Sequence, residues 1–391
     1  MKPLVERYQV IDTDTHLTEP YDLFTSRVSV ATWGDRVPHV RWSETGQEES
    51  WFFGNERIAP AAGSAMAGWR EYNPDKPKRL SQVDPAAYDA RVRLERMDEY
   101  GIYAQVIYPN IGGFGGARYL RLAAPELMLA CSRAYNDFLI EWCAADPKRL
   151  LPQLTVPFWD LDASISELGR AAKQGHKGIV FCGEPEHFGL PTLTDPHWDR
   201  FWAAAQDHDL PVNFHIGGGD ADNYRVMHPS VGKHAAAAGN SINFFMVNAK
   251  VLSQLTCSGI CHRFPRLDFV SVESGVGWLP YALEAIDWQW LNSGGHREHP
   301  EYRLLPSEFF RRQIYGSFWF ERGSLHQALE LLGPDNIMYE TDFPHPTSMS
   351  PGPASAAINP RDYIEQVLSG LPAATIGKLL HSNAARVYRL Q

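Results

Sequence analysis

The chain has 391 residues, 44% of them hydrophobic and 21% charged, with a formal net charge of −10; this suits a large buried core. The acidic balance, with no Lys/Arg-rich run, argues against nucleic acid and anionic membranes as partners, and no stretch approaches the roughly 18 consecutive apolar residues of a transmembrane helix. The opening MKPLVERYQV lacks an apolar signal core, and the five scattered cysteines, Cys131, Cys143, Cys182, Cys257 and Cys261, suit reduced thiols in a cytoplasmic protein.

Short β-rich runs alternate with helical patterns along the chain. Residues 8–14 (YQVIDTD) read as strand 1. A long insertion over 17–85, rich in Trp, Pro and Gly, follows, with a short hairpin expected in WSETGQEESWFFG. Residues 85–100 are helical, with Leu94, Met97 and Tyr100 on one face. Strand 2 starts at Tyr103, a helix spans 123–145, and strand 3 starts at Leu151. Asp162 is read as the cap of the next helix, which runs to Gln174-Gly175. Strand 4 is GIVFCG, helix 4 is DPHWDRFWAAAQDHD, and strand 5 is PVNFHIG. A loop over 218–240 and a helix over 240–261 precede strand 6, LDFVSVES. A helix over 278–290, strand 7 (IYGSFWF), a helix over 324–332 and strand 8 (NIMYETD) complete the alternation. Eight strands alternating with helices predict a (β/α)8 barrel, 1–391 as one domain, with long insertions after strands 1 and 5.

Parallel barrels keep their chemistry at the C-terminal ends of the strands. There strand 1 offers Asp14 and His16, strand 5 His215, strand 6 Glu273 and strand 8 Asp342. The two-residue spacing points Asp14 and His16 to one side of an extended chain. Asp12 is expected to share that orientation one step deeper, as a hydrogen-bonding core residue. Inward carboxylates would be uncompensated charges. A divalent cation removes the problem, and mixed carboxylate and imidazole donors suit zinc, manganese, iron or cobalt.

With these residues in place, the chain resembles the amidohydrolase superfamily, in the branch of aminocarboxymuconate-semialdehyde decarboxylase, resorcylate-type decarboxylases and related hydratases and carbon–carbon hydrolases. The resemblance rests on IDTDTH with Asp14 and His16, on His215 in LPVNFHIGG, and on Asp342 in YETDFPH with Pro344-His345. The segment PTLTDPHWDRFWAAAQDHDLPVNFHIGG and the terminal Asn383-to-Tyr388 helix extend it over nearly the whole chain. Two departures stand out. No lysine ends strand 4, since Lys177 lies at its opposite end, so the carboxylated-lysine bridge between two metals is absent. Strand 6 carries Glu273, in VESGVGW, where the decarboxylase branch has a histidine.

The resemblance implies a metal-dependent hydrolase or carbon–carbon lyase, decarboxylases included, often dimeric, acting on a small aromatic or apolar carboxylate. One cation is favoured; it would activate water and polarise substrate. Asp342, Glu273 and His215 are the candidate catalytic residues, with Glu273 as general base or acid. His234, His345, Arg225 and Trp278 are candidate substrate contacts, and Lys233 is a further cation for a substrate carboxylate. Asp222, Tyr224, Trp319 and Phe343 are candidate pocket residues, and Gly217, Gly218 and Gly219 would let substrate approach the backbone. The alternative makes Glu273 a fifth ligand beside Asp14, His16, His215 and Asp342, with two irons that hydroxylate an apolar substrate.

Overall fold

The computed structural model describes residues 2–390, without the side chains of residues 221, 222 and 229. Eleven strands are found: β1 (Val10–His16), β2 (His39–Ser43), β3 (Glu48–Phe53), β4 (Glu56–Pro60), β5 (Ile102–Tyr108), β6 (Leu150–Thr155), β7 (Gly178–Val180), β8 (Val212–His215), β9 (Phe269–Val272), β10 (Ile314–Phe318) and β11 (Ile337–Tyr339). Eight of them form one sheet in the order β1-β5-β6-β7-β8-β9-β10-β11, every neighbouring pair parallel. Helices fill the crossovers, as parallel pairing demands.

The sheet closes between β1 and the segment after β11. Thr15 pairs with Phe343 in a parallel bridge. The His16 amide donates to the Phe343 carbonyl at 2.7 Å and the Asp342 amide to the Asp14 carbonyl at 2.9 Å. The architecture is therefore the expected (β/α)8 barrel. Its interior is packed by inward residues such as Ile11, Val106, Leu151, Val180, Val270 and Met338. Tyr388 of the last helix closes the bottom, donating to Asn213 Oδ1 at 2.9 Å.

Local differences from the sequence reading have physical causes. The insertion holds a three-stranded antiparallel sheet, β2-β3-β4, rather than a hairpin. The helix Leu161–Gln174 is capped by Asp160, whose carboxylate accepts from the Ala163 amide; Asp162 sits in its first turn. The helix expected over 240–261 is three pieces, Lys233–Asn243, Phe245–Cys257 and Ile260–Arg263, the last break falling at Gly259 with φ +80°. Among the described residues, no helix is long and apolar enough to cross a membrane.

Candidate metal centre and active site

β1 is buried along its whole length although it carries Asp12, Thr13, Asp14, Thr15 and His16. Its register against β5 shifts between Asp12 and Thr15. Such an irregularity re-aims side chains, and it gives the two aspartates different surroundings. Asp12 accepts from the Thr341 amide at 2.8 Å, from Thr341 Oγ1 at 2.6 Å and from Gln105 Nε2 at 3.0 Å. It is the hydrogen-bonding core residue expected, without the shared orientation. Asp14 instead meets imidazoles: its Oδ1 lies 3.2 Å from His16 Nε2 and 3.5 Å from His215 Nε2.

The two Nε2 atoms lie 3.1 Å apart. Glu273 Oε2 is 3.2 Å from His215 Nε2, and Asp342 Oδ1 is 3.6 Å from His16 Nε2. His345 Nδ1 reaches Asp342 Oδ1 at 2.7 Å, and its ring stacks on His16 with centroids 3.8 Å apart. The barrel thus brings Asp14, His16, His215, Glu273, Asp342 and His345 into one centre, as two overlapping donor quartets, each with its ligand atoms within 4.8 Å of one another.

A divalent cation fits this centre. Both oxygens of Asp14 are buried without a hydrogen-bond partner. Donors about 2.1 Å from a shared ion stand roughly 3 to 3.5 Å apart, which matches the separations around His16 and His215. His215 Nδ1 faces the Ile216 carbonyl at 2.8 Å. That contact calls for a proton on Nδ1 and leaves the Nε2 lone pair for a metal. Among the described residues, no lysine or arginine forms an ion pair with Asp14, Glu273, Glu340 or Asp342.

The protein alone strains to hold this charge. Burial, then the Asp14 charge, pushes Asp342 well above the usual carboxylate range; burial, then Asp342, does the same to Glu273. Burial would raise Asp14 too, but His215 and His16 outweigh it and hold Asp14 low. Burial, then His345, depresses His16, and burial drives His345 down to about 3.

The turn after β9 explains the Glu-Ser-Gly-x-Gly-Trp pattern. Glu273 has φ +56°. Glu321 accepts from the amides of Val276 (3.0 Å) and Gly277 (2.8 Å), and a Cβ on Gly277 would stand 2.5 Å from Ser324 Cβ. Trp278 donates its indole N–H to the carbonyls of Ser274 and Gly275 at 3.0 and 3.1 Å. Trp278 therefore clamps the turn from behind, beside a small apolar cavity, and does not line the chamber that lies above the centre.

Above the centre lies a chamber of about 480 Å³, walled by Phe114, Phe188, Phe244, Arg118, Arg121 and Arg225, among others, with Glu273 and His345 exposed to it. His234 is not in its wall. Its Nδ1 meets the Asn73 carbonyl at 2.9 Å, and its neighbour Lys233 binds Asp75 at 2.6 Å. Both residues dock the strand-5 insertion onto the first insertion, and neither lines the chamber. Tyr224 donates to Glu184 at 2.6 Å. Trp319 and Phe343 are core residues, and the side chain of Asp222 lies outside the described residues. The glycines after His215 have a packing reason: a Cβ on Gly219 would fall 2.1 Å from Glu184 Oε2, and one on Gly218 2.8 Å from the His215 carbonyl.

Four residues at or near the centre and its chamber carry no signal that the sequence analysis used. Glu340 is buried, its Oε2 accepting from the Glu273 amide at 3.3 Å and its Oε1 unpartnered. Its place two residues before Asp342 was the available signal. Glu184, just beyond β7, ties Tyr224 and Lys250 together. Phe114 lies against His215 with ring centroids 3.8 Å apart. Arg118 reaches the chamber from a 3-10 turn. Phe114 and Arg118 sit in a glycine-rich loop with no periodicity to read.

The fold has relatives of known structure. An amidohydrolase from Mycobacterium avium subsp. paratuberculosis superposes with a TM-score of 0.74 at 21% identity, covering 97% of this chain and 99% of that one. A dihydroxybenzoic acid decarboxylase from Polaromonas sp., solved with bound manganese and the inhibitor 2-nitroresorcinol, gives 0.62 at 21% identity over 98% and 97%. In sequence, a gamma-resorcylate decarboxylase from Polaromonas sp. is 27% identical over 265 residues, 66% of this chain and 76% of that protein. One from Rhizobium sp. is 28% identical over 259 residues, 64% and 76%. Residues 11–390 match the Amidohydrolase family profile, so the strand-end donors sit in the frame that the profile spans, and the chain belongs to the amidohydrolase family.

Proposed function

We propose that this protein is a metal-dependent carboxy-lyase that removes carbon dioxide from a small hydroxylated aromatic acid. The observation that carries the reading is the chamber itself: a buried Asp/His/Glu centre forms its floor, and its wall combines three phenylalanines with three arginines. Aromatic faces suit a ring, and guanidinium groups suit a carboxylate. Relatives that are decarboxylases of resorcylate and dihydroxybenzoate support carboxylate chemistry over the oxygenase alternative.

Asp14, His16, His215 and Asp342 would hold one divalent cation, manganese being the ion in a neighbouring structure. The cation supplies Lewis-acid charge to substrate oxygens. The protein's own groups do the rest. Phe114, Phe188 and Phe244 hold the ring and exclude water. Arg225 and Arg121 attract the acid to the chamber. Glu273, which belongs to the centre and faces the chamber, delivers a proton to the ring carbon that bears the carboxylate. The bond to the carboxyl carbon then breaks, its electron pair stays with the ring, and Glu273 recovers a proton from water. The five unpaired cysteines support a cytoplasmic setting, and a homodimer is the proposed assembly.

The test is release of carbon dioxide from 2,6-dihydroxybenzoate and other hydroxybenzoates by manganese-loaded protein, followed by mass spectrometry, beside Glu273→Gln. Release by the wild type and at least a hundredfold less by the variant is expected. No release from any of them, or an unimpaired variant, overturns the reading.

A further inference from the structure

A second chamber of about 190 Å³ adjoins the first, and the two share Asn110 and Arg118 in their walls. It does not reach the donor centre: neither Glu273 nor His345 lines it. The first insertion builds most of it, through Trp51 of β3, Ala59 and Pro60 of β4, Ser64 and Lys76. A single aromatic ring over the metal centre would leave this space unused.

In its wall, Asn110 Nδ2 donates to Ser64 Oγ at 2.6 Å, whereas the two cations, Lys76 and Arg118, are held only by long contacts. Arg118 makes only two long hydrogen bonds among the described residues, both from Nη1, to the Asn110 and Ile111 carbonyls at 3.4 Å. Lys76 is 3.8 Å from Glu48, a carboxylate it shares with Arg57. Burial, and then the nearby Arg57 and Arg225, lower the Lys76 pKa against the pull of Glu48. The one acid in the wall, Glu19, accepts through Oε1 from the Asn110 and Ile111 amides at 3.1 and 2.7 Å and from Tyr135 at 2.7 Å, and its charge acts on Arg118 against the effect of burial. Gly63 leaves room for the lysine stem, since a Cβ there would stand 2.6 Å from Lys76 Cδ. Cations held only by long contacts gain from an anion that comes within direct hydrogen-bond reach.

We propose that Lys76 and Arg118 form a distal anion subsite, which selects aromatic acids carrying a second carboxylate at the end remote from the reacting one. This deepens the proposed function and rests on it for the placement of the reacting group. Arg118, at the junction, gives the planar fork that a carboxylate matches, and Lys76 adds a point charge.

The test is equilibrium binding by calorimetry, without turnover, to manganese-loaded protein. Two ligand pairs differ only in the second carboxylate: benzoate against isophthalate, and biphenyl-4-carboxylate against biphenyl-4,4'-dicarboxylate. In at least one pair the dicarboxylate should bind fivefold or more tightly. Lys76→Met and Arg118→Met should each reduce that preference by at least half, with the monocarboxylate Kd within twofold of wild type for Lys76→Met, which shows an intact fold. A preference below fivefold in both pairs, or one that both variants keep, overturns the subsite. Preference without carbon dioxide release would leave the subsite standing and sink the decarboxylase reading.

Discussion

Glu273 and Asp342 face the same donor centre from two strands, and both have left-handed backbones, with φ +56° and +58°. Non-glycine residues avoid this region, at a cost of about 1–3 kcal/mol each. Their side chains add a second cost: burial, then a neighbouring carboxylate charge (Asp342 for Glu273, Asp14 for Asp342), pushes both pKa values well above the usual range. Both costs make sense if a cation offsets them. Glu273→Gln and Asp342→Asn should therefore each raise the melting temperature of metal-free protein by about 2 °C, as on the order of 1 kcal/mol does in a large domain. Asp342→Asn, which removes a ligand, should also lose most of the stabilisation that added manganese gives. Calorimetric melts with and without the ion decide it; lower melting temperatures for both metal-free variants would sink this account.

Asp14 is the donor with the least alternative employment, since neither of its oxygens has a hydrogen-bond donor. Asp14→Asn should weaken manganese binding by at least the ~10–100-fold that lesser, outer contacts are worth. Chelation of the wild type should cost about 2.7 kcal/mol relative to manganese at a hundred times its Kd. Equilibrium dialysis with elemental analysis, paired with denaturant melts, measures both. An unchanged metal content in Asp14→Asn would remove it from the ligand set.

The barrel and its donors were legible because strand ends are where alternation stops and chemistry begins. Asp14, His16, His215, Glu273 and Asp342 each terminate an apolar run, so one topological rule collects them. Asp12 shows the limit of period-two reasoning: the register shift within β1 cannot be seen in alternating letters. Trp278 and His234 lie away from the chamber wall for a shared reason. Both lie next to site residues in sequence, but the turn after β9 and the docking of the two insertions carry their side chains elsewhere. Phe114, Arg118 and Lys76 belong to loops whose conformation depends on tertiary contacts, and nothing periodic marks them.

Phe114 buttresses His215, with ring centroids 3.8 Å apart, and also lies 5.0 Å from His16. The loop brings it there because Gly115 has no side chain: a Cβ would stand 2.7 Å from the Cys182 amide. Such ring contacts are worth about 0.5–1.5 kcal/mol beyond their buried area. Phe114→Ala should thus weaken metal binding by about 2–10-fold and raise KM for an aromatic acid more than it lowers kcat. Phe114→Tyr should restore the ring contact and most of the KM. Steady-state kinetics at saturating manganese separates these effects from metal loss; an unchanged KM in Phe114→Ala would show that the ring supports the ligands without touching substrate.

A pH dependence unrelated to the metal centre follows from His176. It is buried at the end of the helix Leu161–Gln174, with Nδ1 3.2 Å from the Ala171 carbonyl and Nε2 unpartnered. Burial lowers its pKa from 6.5 to about 4. Between those values the unfolded chain takes up a proton that the folded protein refuses. Stability is therefore highest above pH 6.5 and falls as the pH drops toward 4, by up to about 1.4 kcal/mol per unit from this one group. His176→Gln should flatten that part of the profile while leaving the rest. Chemical denaturation from pH 4 to 8 on metal-free protein gives the comparison. A variant with the wild-type slope would place the acid sensitivity in other groups.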